Sequence, residues 1–154
     1  AVREPLGVAR YLAEDFAGAA KELQAYRRIS GNVDQNHVLA DCQRALGRDL
    51  SGLPELIGAM KGAAPTDRVT EGIIVWASAL ADRGELAAGR ALVKRRAQEL
   101  TGAELEEHHL RLWYVCGDLA ERAGDRDEAH AWFGRITEAS TGFFDADERF
   151  AALT

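Results

Sequence analysis

The stretch from residue 113 to residue 136, WYVCGDLAERAGDRDEAHAWFGRI, decides the fold of this chain. It carries apolar residues at helical spacing on both sides of Gly124. Spacings of three and four residues place such side chains on one stripe of a helix. A glycine between two helices supplies the positive φ that ends the first helix, and Asp125 is placed to cap the second. The stretch therefore predicts a helix hairpin.

Three earlier segments repeat this frame around Glu14, Gly47 and Gly84, and the four centres lie 33, 37 and 40 residues apart. In each copy a small residue is followed twelve positions later by a second small residue, and four positions further by a large apolar one. The small pairs are Gly7/Ala19, Ala40/Gly52, Ala77/Gly89 and Gly117/Ala129. We expect them to lie where two antiparallel helices approach most closely, with no room for a larger side chain. Repeats of this length indicate a helical repeat array.

The predicted fold class is all-α, a single domain of about four antiparallel helix hairpins near residues 3–29, 35–60, 66–99 and 104–139. No segment alternates apolar and polar residues as a half-buried strand does. Asp145 and Glu148 resemble a capping box, which predicts a short helix within a C-terminal cap over residues 142–153. Four apolar residues are expected to cover the end of the last hairpin: Phe143, Phe144, Phe150 and Leu153.

Composition and charge narrow the class of protein. The 154 residues are about one domain's worth of chain, and the net charge of −6 disfavours binding to nucleic-acid phosphates. The longest apolar run, residues 72–81, is too short for a bilayer, which takes about 20 residues. Cys42 and Cys116 are too few for a disulfide framework, and both fall on apolar stripes. We therefore expect a soluble cytoplasmic protein with buried thiols and with no membrane or nucleic-acid partner.

The frame around Gly124 resembles the tetratricopeptide repeat (TPR), a helix–turn–helix motif with signature residues at set spacings. The matching positions are Trp113, Gly117, Gly124, Ala129 and Phe133. Cys116 and Ala120 stand where the motif usually has Leu and Tyr. The stretch ADCQRALGR, residues 40–48, is also similar to an uncharacterised actinobacterial group of TPR-like proteins. The resemblance implies a right-handed α-solenoid whose first helices line a concave groove, and it implies that this chain is the C-terminal part of a longer array.

Placed on this frame, the groove displays residues from the second, third and fourth hairpins. They are His37, Asp41, Arg44, Ile74, Ser78, Asp82, Arg111, Tyr114, Asp118, Glu121 and Arg122. Acidic residues outnumber arginines at the groove and its rim, which favours a basic or mixed-charge peptide. Tyr114 is the expected anchor, because aromatic residues and arginines dominate binding hot spots. The alternative is that all these residues belong to ordinary solvated helix faces.

One cluster has the composition of a metal site: Glu104, Glu106, Glu107, His108 and His109. It lacks the HExxH spacing, and an acidic helix start in solvent explains the same residues. The chain also has no Walker loop, no GxGxxG and no Ser-His-Asp arrangement. We therefore predict neither a metal, nor a cofactor, nor enzymatic activity. An enzyme that binds zinc or manganese in this region is the alternative.

The leading functional interpretation is a protein-interaction scaffold that binds a peptide or a helical segment in its groove. The second interpretation is a structural module that forms a homodimer through its N-terminal hairpin. Leu6, Val8 and Leu12 have no cap in the sequence before them, and they would face solvent, another subunit or a preceding repeat.

Overall fold

The computed structural model describes residues 2–154, and every regular element in that range is an α-helix. The helices are α1 (Arg3–Leu12), α2 (Phe16–Ser30), α3 (Asn36–Ala45), α4 (Leu53–Gly58), α5 (Thr66–Asp82), α6 (Leu86–Glu99), α7 (Glu107–Arg122), α8 (Arg126–Ala139) and α9 (Ala146–Ala152). The all-α prediction of four helix hairpins and a short terminal helix is confirmed. Within residues 2–154, no helix combines the length and the apolar character needed to cross a membrane.

The chain forms two compact units, one up to Ala79 and one from Leu80 onward, with the boundary inside α5. In the first unit α2 packs against α1 and α3, and α4 packs against α3. In the second unit α7 packs against α6 and α8, and α9 packs against α8. These contacts join helices that follow one another along the chain, as the repeat pattern predicts.

Each unit has a core of large side chains that are almost completely buried. In the first unit they are Leu23, Leu39, Leu53, Ile57 and Met60. In the second unit they are Val93, Leu112, Leu119, Phe133 and Ile136. Burying one such side chain stabilises a fold by about 1.5–3 kcal/mol, so this apolar stripe is the main source of stability of each helix pair.

The turns between paired helices use left-handed residues, as the glycine frame predicts. The φ angle is 67° at Gly47, 91° at Gly84 and 80° at Gly124. Glu14 occupies the equivalent place between α1 and α2 with a φ of 62°, although it carries a side chain. Only glycine adopts this conformation without a steric cost, so Glu14 is a point of local strain.

Aspartates cap the second helix of the first and last pairs. Asp15 and Asp125 each accept a hydrogen bond from the backbone N–H three residues ahead, at 3.0 and 3.1 Å. These bonds satisfy N–H groups that a helix start leaves without partners, and they lower the pKa of both carboxyl groups. At the start of α6 the residue after the turn glycine is Glu85, which makes no side-chain capping bond and pairs with Arg83 instead.

The small residues mark close helix contacts in the first and last pairs, as predicted. A Cβ atom added to Gly7 would lie 2.7 Å from Leu23 Cγ, and one added to Gly117 would lie 2.8 Å from Phe133 Cζ. In both pairs a large residue of the second helix packs directly over the glycine. The prediction is wrong at Gly52, which is exposed and has open space around it. The reason is that α4 begins only after Gly52, so this glycine belongs to the connection and not to a helix contact.

The aromatic residues of the C-terminal segment divide into a packed group and one exposed residue. Phe143, Phe150 and Leu153 pack against the buried cluster of α7 and α8, as predicted. Phe144 is 73% exposed, so the prediction that it covers the hairpin is wrong. The backbone at Phe144 is left-handed, with a φ of 46°.

The capping box predicted before α9 is also wrong. The helix begins at Ala146, but the Asp145 side chain makes no capping bond. Asp145 instead accepts a hydrogen bond of 2.5 Å from the Tyr114 hydroxyl of α7. The Asp145 carboxylate, which the local spacing predicted to cap the helix, is thus bound by Tyr114, 31 positions earlier in the sequence.

Candidate functional site

In the first unit, the groove residues predicted on α3 lie on one helix face. His37, Asp41 and Arg44 are spaced by four and three residues, so they are neighbours on the helix surface. Arg44 donates two hydrogen bonds to the Asp41 carboxylate, at 2.9 and 2.7 Å. The Tyr11 hydroxyl of α1 donates a third, at 2.6 Å. Asp41 is therefore fixed by two helices before any partner binds.

Tyr11 is a member of this surface that the repeat frame does not predict. Its ring is half-buried and packs edge to face on Phe16, with the ring centres 6.0 Å apart. Burial and the hydrogen bond to Asp41 both raise the pKa of the Tyr11 phenol, so it stays protonated and remains a donor. Position 11 lies 30 residues before Asp41, and the repeat frame contains no signal for that pairing.

His37 contributes a neutral ring to the same face. Burial, together with the nearby Arg68 guanidinium, lowers the pKa of His37 to about 4. The Nδ1 atom of His37 is buried and has no hydrogen-bond partner. At neutral pH this residue therefore adds a polar ring and no positive charge. Ile74 and Ser78, one turn apart on α5, are the other predicted residues of this unit, and both are partly exposed.

In the second unit, three predicted residues of α7 converge on a side chain that was not predicted. Arg149 of α9 lies 3.0 Å from Asp118 and 2.6 Å from Glu121, and it donates a hydrogen bond of 3.2 Å to the Tyr114 hydroxyl. Its guanidinium carbon is 5.4 Å from the centre of the Tyr114 ring and 4.6 Å from that of Phe133. The predicted acidic patch thus already holds an arginine of the same chain.

Tyr114 is only partly available as an anchor. Its ring packs edge to face against Phe133 and Phe144, with ring centres 5.6 and 5.8 Å apart. Burial and the hydrogen bond to Asp145 raise the pKa of its phenol. Tyr114 therefore presents one edge of a ring that is held rigidly by its neighbours.

The remaining predicted residues of this unit make looser contacts. Arg122 lies 3.6 Å from Asp82 and 3.8 Å from Asp118, and its side chain is well exposed. Ion pairs of this kind contribute at most about 1 kcal/mol, so Arg122 and Asp82 are free to rearrange around a partner. Arg111 is exposed three residues before Tyr114. Arg111 and Arg122 belong to the predicted groove, so Arg149 alone makes the surface of α7 less acidic than the sequence predicts.

The cluster with the composition of a metal site forms a helix cap in the structure. The backbone N–H of Glu106 donates a hydrogen bond of 3.1 Å to His109 Nδ1, and His108 Nε2 lies 3.2 Å from the Glu106 carboxylate. In residues 2–154 no group of three or more potential ligand side chains could hold a metal ion. Glu104 and Glu107 are exposed as an acidic helix start requires, but both histidines are buried and do not face solvent. The imidazole of His109 packs edge to face against Trp113, which explains the difference.

Both cysteines are buried, as predicted. Burial raises the pKa of Cys42 to about 11 and that of Cys116 to about 12. A thiol must lose its proton to act as a nucleophile, so neither cysteine is suited to covalent chemistry at neutral pH. They fill small spaces in the apolar stripes.

The arrangement of the helices is similar to that of a solved structure. The structure superposes on the crystal structure of the MamA protein with a TM-score of 0.66, over 99% of this chain and 79% of the MamA chain. The fold is TPR-like. The two sequences are 16% identical, so the likeness shows the fold alone. No family model matches the chain, and no curated protein sequence matches it.

Proposed function

We propose that this TPR-like chain is a protein-interaction scaffold. It binds a peptide or helical segment on the surfaces formed by the first helix of each hairpin. The observation that carries the proposal is the arrangement on α7, where Tyr114, Asp118 and Glu121 are held by Arg149. An aromatic ring and arginines at one place are the usual content of a binding hot spot. The Asp41 network on α3 is a second surface of the same kind in the first unit.

Rigidity of these side chains favours binding. Tyr114, Asp118 and Glu121 are each fixed by a bond to Arg149 of α9, so they lose little conformational freedom when a partner arrives. Immobilising a flexible side chain costs about 0.5–1.5 kcal/mol, and this cost has already been met in the free protein. The surface is therefore suited to binding a peptide.

The charge of the chain favours a basic or mixed-charge peptide. The net charge is −6, and acidic groups flank both candidate surfaces. Such a field raises the encounter rate of cationic partners and disfavours acidic ones, and its effect weakens as salt is added. We therefore expect peptides rich in Lys and Arg to bind faster than acidic peptides of the same length.

Arrayed 12-residue peptides and a double substitution test the proposal. Tyr114→Ala with Asp118→Arg should weaken capture of the selected peptides at least tenfold, because it removes the ring and reverses one fixed charge. Glu138→Arg is the matched control, since it reverses an exposed acid on α8 outside this surface. Capture that survives the double substitution at the level of the control would contradict the assignment of the α7 surface.

A second candidate function is self-association through α1. The outward stripe of this helix and its flanking residues is wholly apolar and exposed, and consists of Val2, Pro5, Leu6, Ala9, Leu12 and Ala13. In the repeat frame Val2, Leu6 and Ala9 correspond to three residues that are buried in α7, namely Leu112, Cys116 and Leu119. A face with this register is suited to packing against another helix, which a second copy of the chain would supply.

Sedimentation velocity over a range of concentrations tests this second function. The wild type should form a dimer as its concentration rises, and Leu6→Glu with Leu12→Glu should keep it monomeric. A matched control is Ile29→Glu, which places a charge on another exposed apolar residue at the end of α2. A wild type that stays monomeric at millimolar concentration rules out the homodimer.

A further inference from the structure

Phe144 has a left-handed backbone conformation, which in the described part of the chain is adopted mainly by glycines. Among the described residues, positive φ angles occur at seven glycines, at Glu14 and at Phe144. Glu14 is explained by its place in the repeat turn, whereas Phe144 lies outside the repeat frame. A bulky residue with a φ of 46° pays a steric cost that glycine or asparagine would avoid. Strain of this kind persists only where the surrounding structure holds it, and it clusters at binding and active sites.

Burial in the core does not explain this conformation. Phe144 is 73% exposed, while Phe143 beside it packs against the core of the last helix pair. The Phe144 ring has edge-to-face contacts with Phe143 and Tyr114, with ring centres 4.7 and 5.8 Å apart. The strained backbone thus holds an apolar ring out of the core and beside the partly exposed Tyr114.

The segment that carries Phe144 is firmly supported. The Gly142 N–H donates a hydrogen bond of 2.9 Å to Asp147, and the Tyr114 hydroxyl donates one of 2.5 Å to Asp145. Bonds on both sides of residue 144 fix the path of the chain from α8 to α9. The exposed ring therefore has a defined position, as an anchor for a partner needs.

The charges around this ring are mostly negative. Beside the Tyr114 ring that Phe144 contacts, three acids, Asp118, Glu121 and Asp145, are held together with one arginine, Arg149. An apolar ring in an acidic surround is complementary to an apolar side chain with basic neighbours.

We propose that Phe144, with the exposed edge of Tyr114, is the apolar anchor of a binding surface for peptides that carry a large apolar residue flanked by Lys or Arg. This inference rests on the proposed scaffold function and specifies the chemistry of its partner. It places the energetic centre of the surface at a residue outside the repeat frame. The strain at residue 144 then lowers the stability of the free protein, and burial of the ring by a partner offsets this loss.

The proposal predicts opposite effects of one substitution on stability and on binding. Phe144→Gly relieves the left-handed backbone, so the melting temperature should rise by a few degrees. The same variant should lose at least tenfold in affinity for arrayed 12-residue peptides with a central Phe, Leu or Trp between Lys or Arg residues. Phe144→Asn, which also tolerates positive φ, should behave in the same way, and Phe144→Leu should keep most of the affinity. Leu105→Ser is the matched control, because Leu105 is 49% exposed in the same unit and should not contribute to binding.

The outcomes separate this inference from the function on which it rests. If Phe144→Gly lowers the melting temperature, the residue is a packing residue and the inference is wrong. If Phe144→Gly binds the peptides as wild type does while Tyr114→Ala with Asp118→Arg does not, the scaffold function stands and the inference alone fails. If peptides with acidic flanks bind as well as those with basic flanks, the partner chemistry is wrong. If no peptide of the array binds the wild type, both proposals fail.

Discussion

At one turn of the repeat, the residue present is not the one that the backbone conformation favours. Glu14 stands at a turn that the other three repeats build with glycine, and its φ is 62°. A left-handed conformation costs a residue with a side chain about 1–2 kcal/mol. The helix pair α1–α2 forms in spite of this cost because Asp15 still caps α2 and Leu23 still packs over Gly7.

Replacing Glu14 with glycine should therefore stabilise the protein. Glu14→Gly removes the steric strain but adds freedom to the unfolded chain, so we expect a net gain of about 1 kcal/mol in the free energy of unfolding. Urea denaturation at 25 °C measures this change. The reverse experiment is Gly124→Ala, which should cost a similar amount at the equivalent turn. A neutral or destabilising Glu14→Gly would show that Glu14 makes a stabilising contact that offsets its strain.

His37 makes stability depend on pH over a defined range. Because burial and Arg68 lower its pKa from 6.5 to about 4, the folded state favours the neutral ring. Between these two values the unfolded chain binds a proton that the folded chain does not, so stability falls as the pH falls from 6.5 to 4. The contribution of His37 over this range is at most about 3 kcal/mol, since one pKa unit corresponds to about 1.4 kcal/mol.

The variant His37→Gln isolates this contribution from that of the carboxyl groups nearby, Asp34 and Asp67. Its free energy of unfolding should decline less than that of the wild type between pH 6.5 and pH 4. Urea denaturation curves at pH 7, 5.5 and 4.5 give the comparison. Equal slopes for the two proteins would mean that the imidazole is accessible to protons in the folded state.

At the scale of helices, the repeat frame correctly identified the close contacts of two pairs. Gly117 and Phe133, like Gly7 and Leu23, are sixteen positions apart, and in each pair the larger residue covers the glycine. The second pair departs from this rule because α4 has only six residues and starts after Gly52. Small residues in a repeat frame thus indicate a close contact only when both lie inside helices.

Adding one methyl group at Gly117 should destabilise the second unit. The Cβ atom of Gly117→Ala would lie 2.8 Å from Phe133 Cζ, and the buried aromatic ring has little room to move. Overpacking of this kind costs about 1–3 kcal/mol, which a shift in the urea midpoint would measure. Gly58→Ala is the matched control, since Gly58 is helical and has open space around it, so it should gain about 0.4–1 kcal/mol. If both variants have the same stability, α7 and α8 are not held as closely as the structure has them.

The contacts of α9 are the part of the helix arrangement that no local pattern indicates. Arg149 reaches Glu121 and Tyr114 across 28 and 35 positions of sequence. Nothing in the spacing of residues 142–153 shows which face α9 turns toward α7. Only the packing of α9 on α8 brings this arginine to the acidic residues of α7.

For the whole molecule, the sequence by itself determined the all-α class, the turn glycines and the register of the apolar stripes. These features depend on spacings of three, four and seven residues and on the backbone freedom of glycine, which are local properties of the chain. The same local rules also indicated that the two cysteines are buried, because both fall on an apolar stripe.

Only the tertiary structure decided how the candidate surfaces are composed. It joined Tyr11 to Asp41, placed Arg149 among Tyr114, Asp118 and Glu121, buried His108 and His109, and left Phe144 exposed on a strained backbone. Each of these facts depends on which distant side chains come within a few ångströms of one another. Spacing along one helix states which residues share a face, but it carries no information on the helix that will pack beside that face.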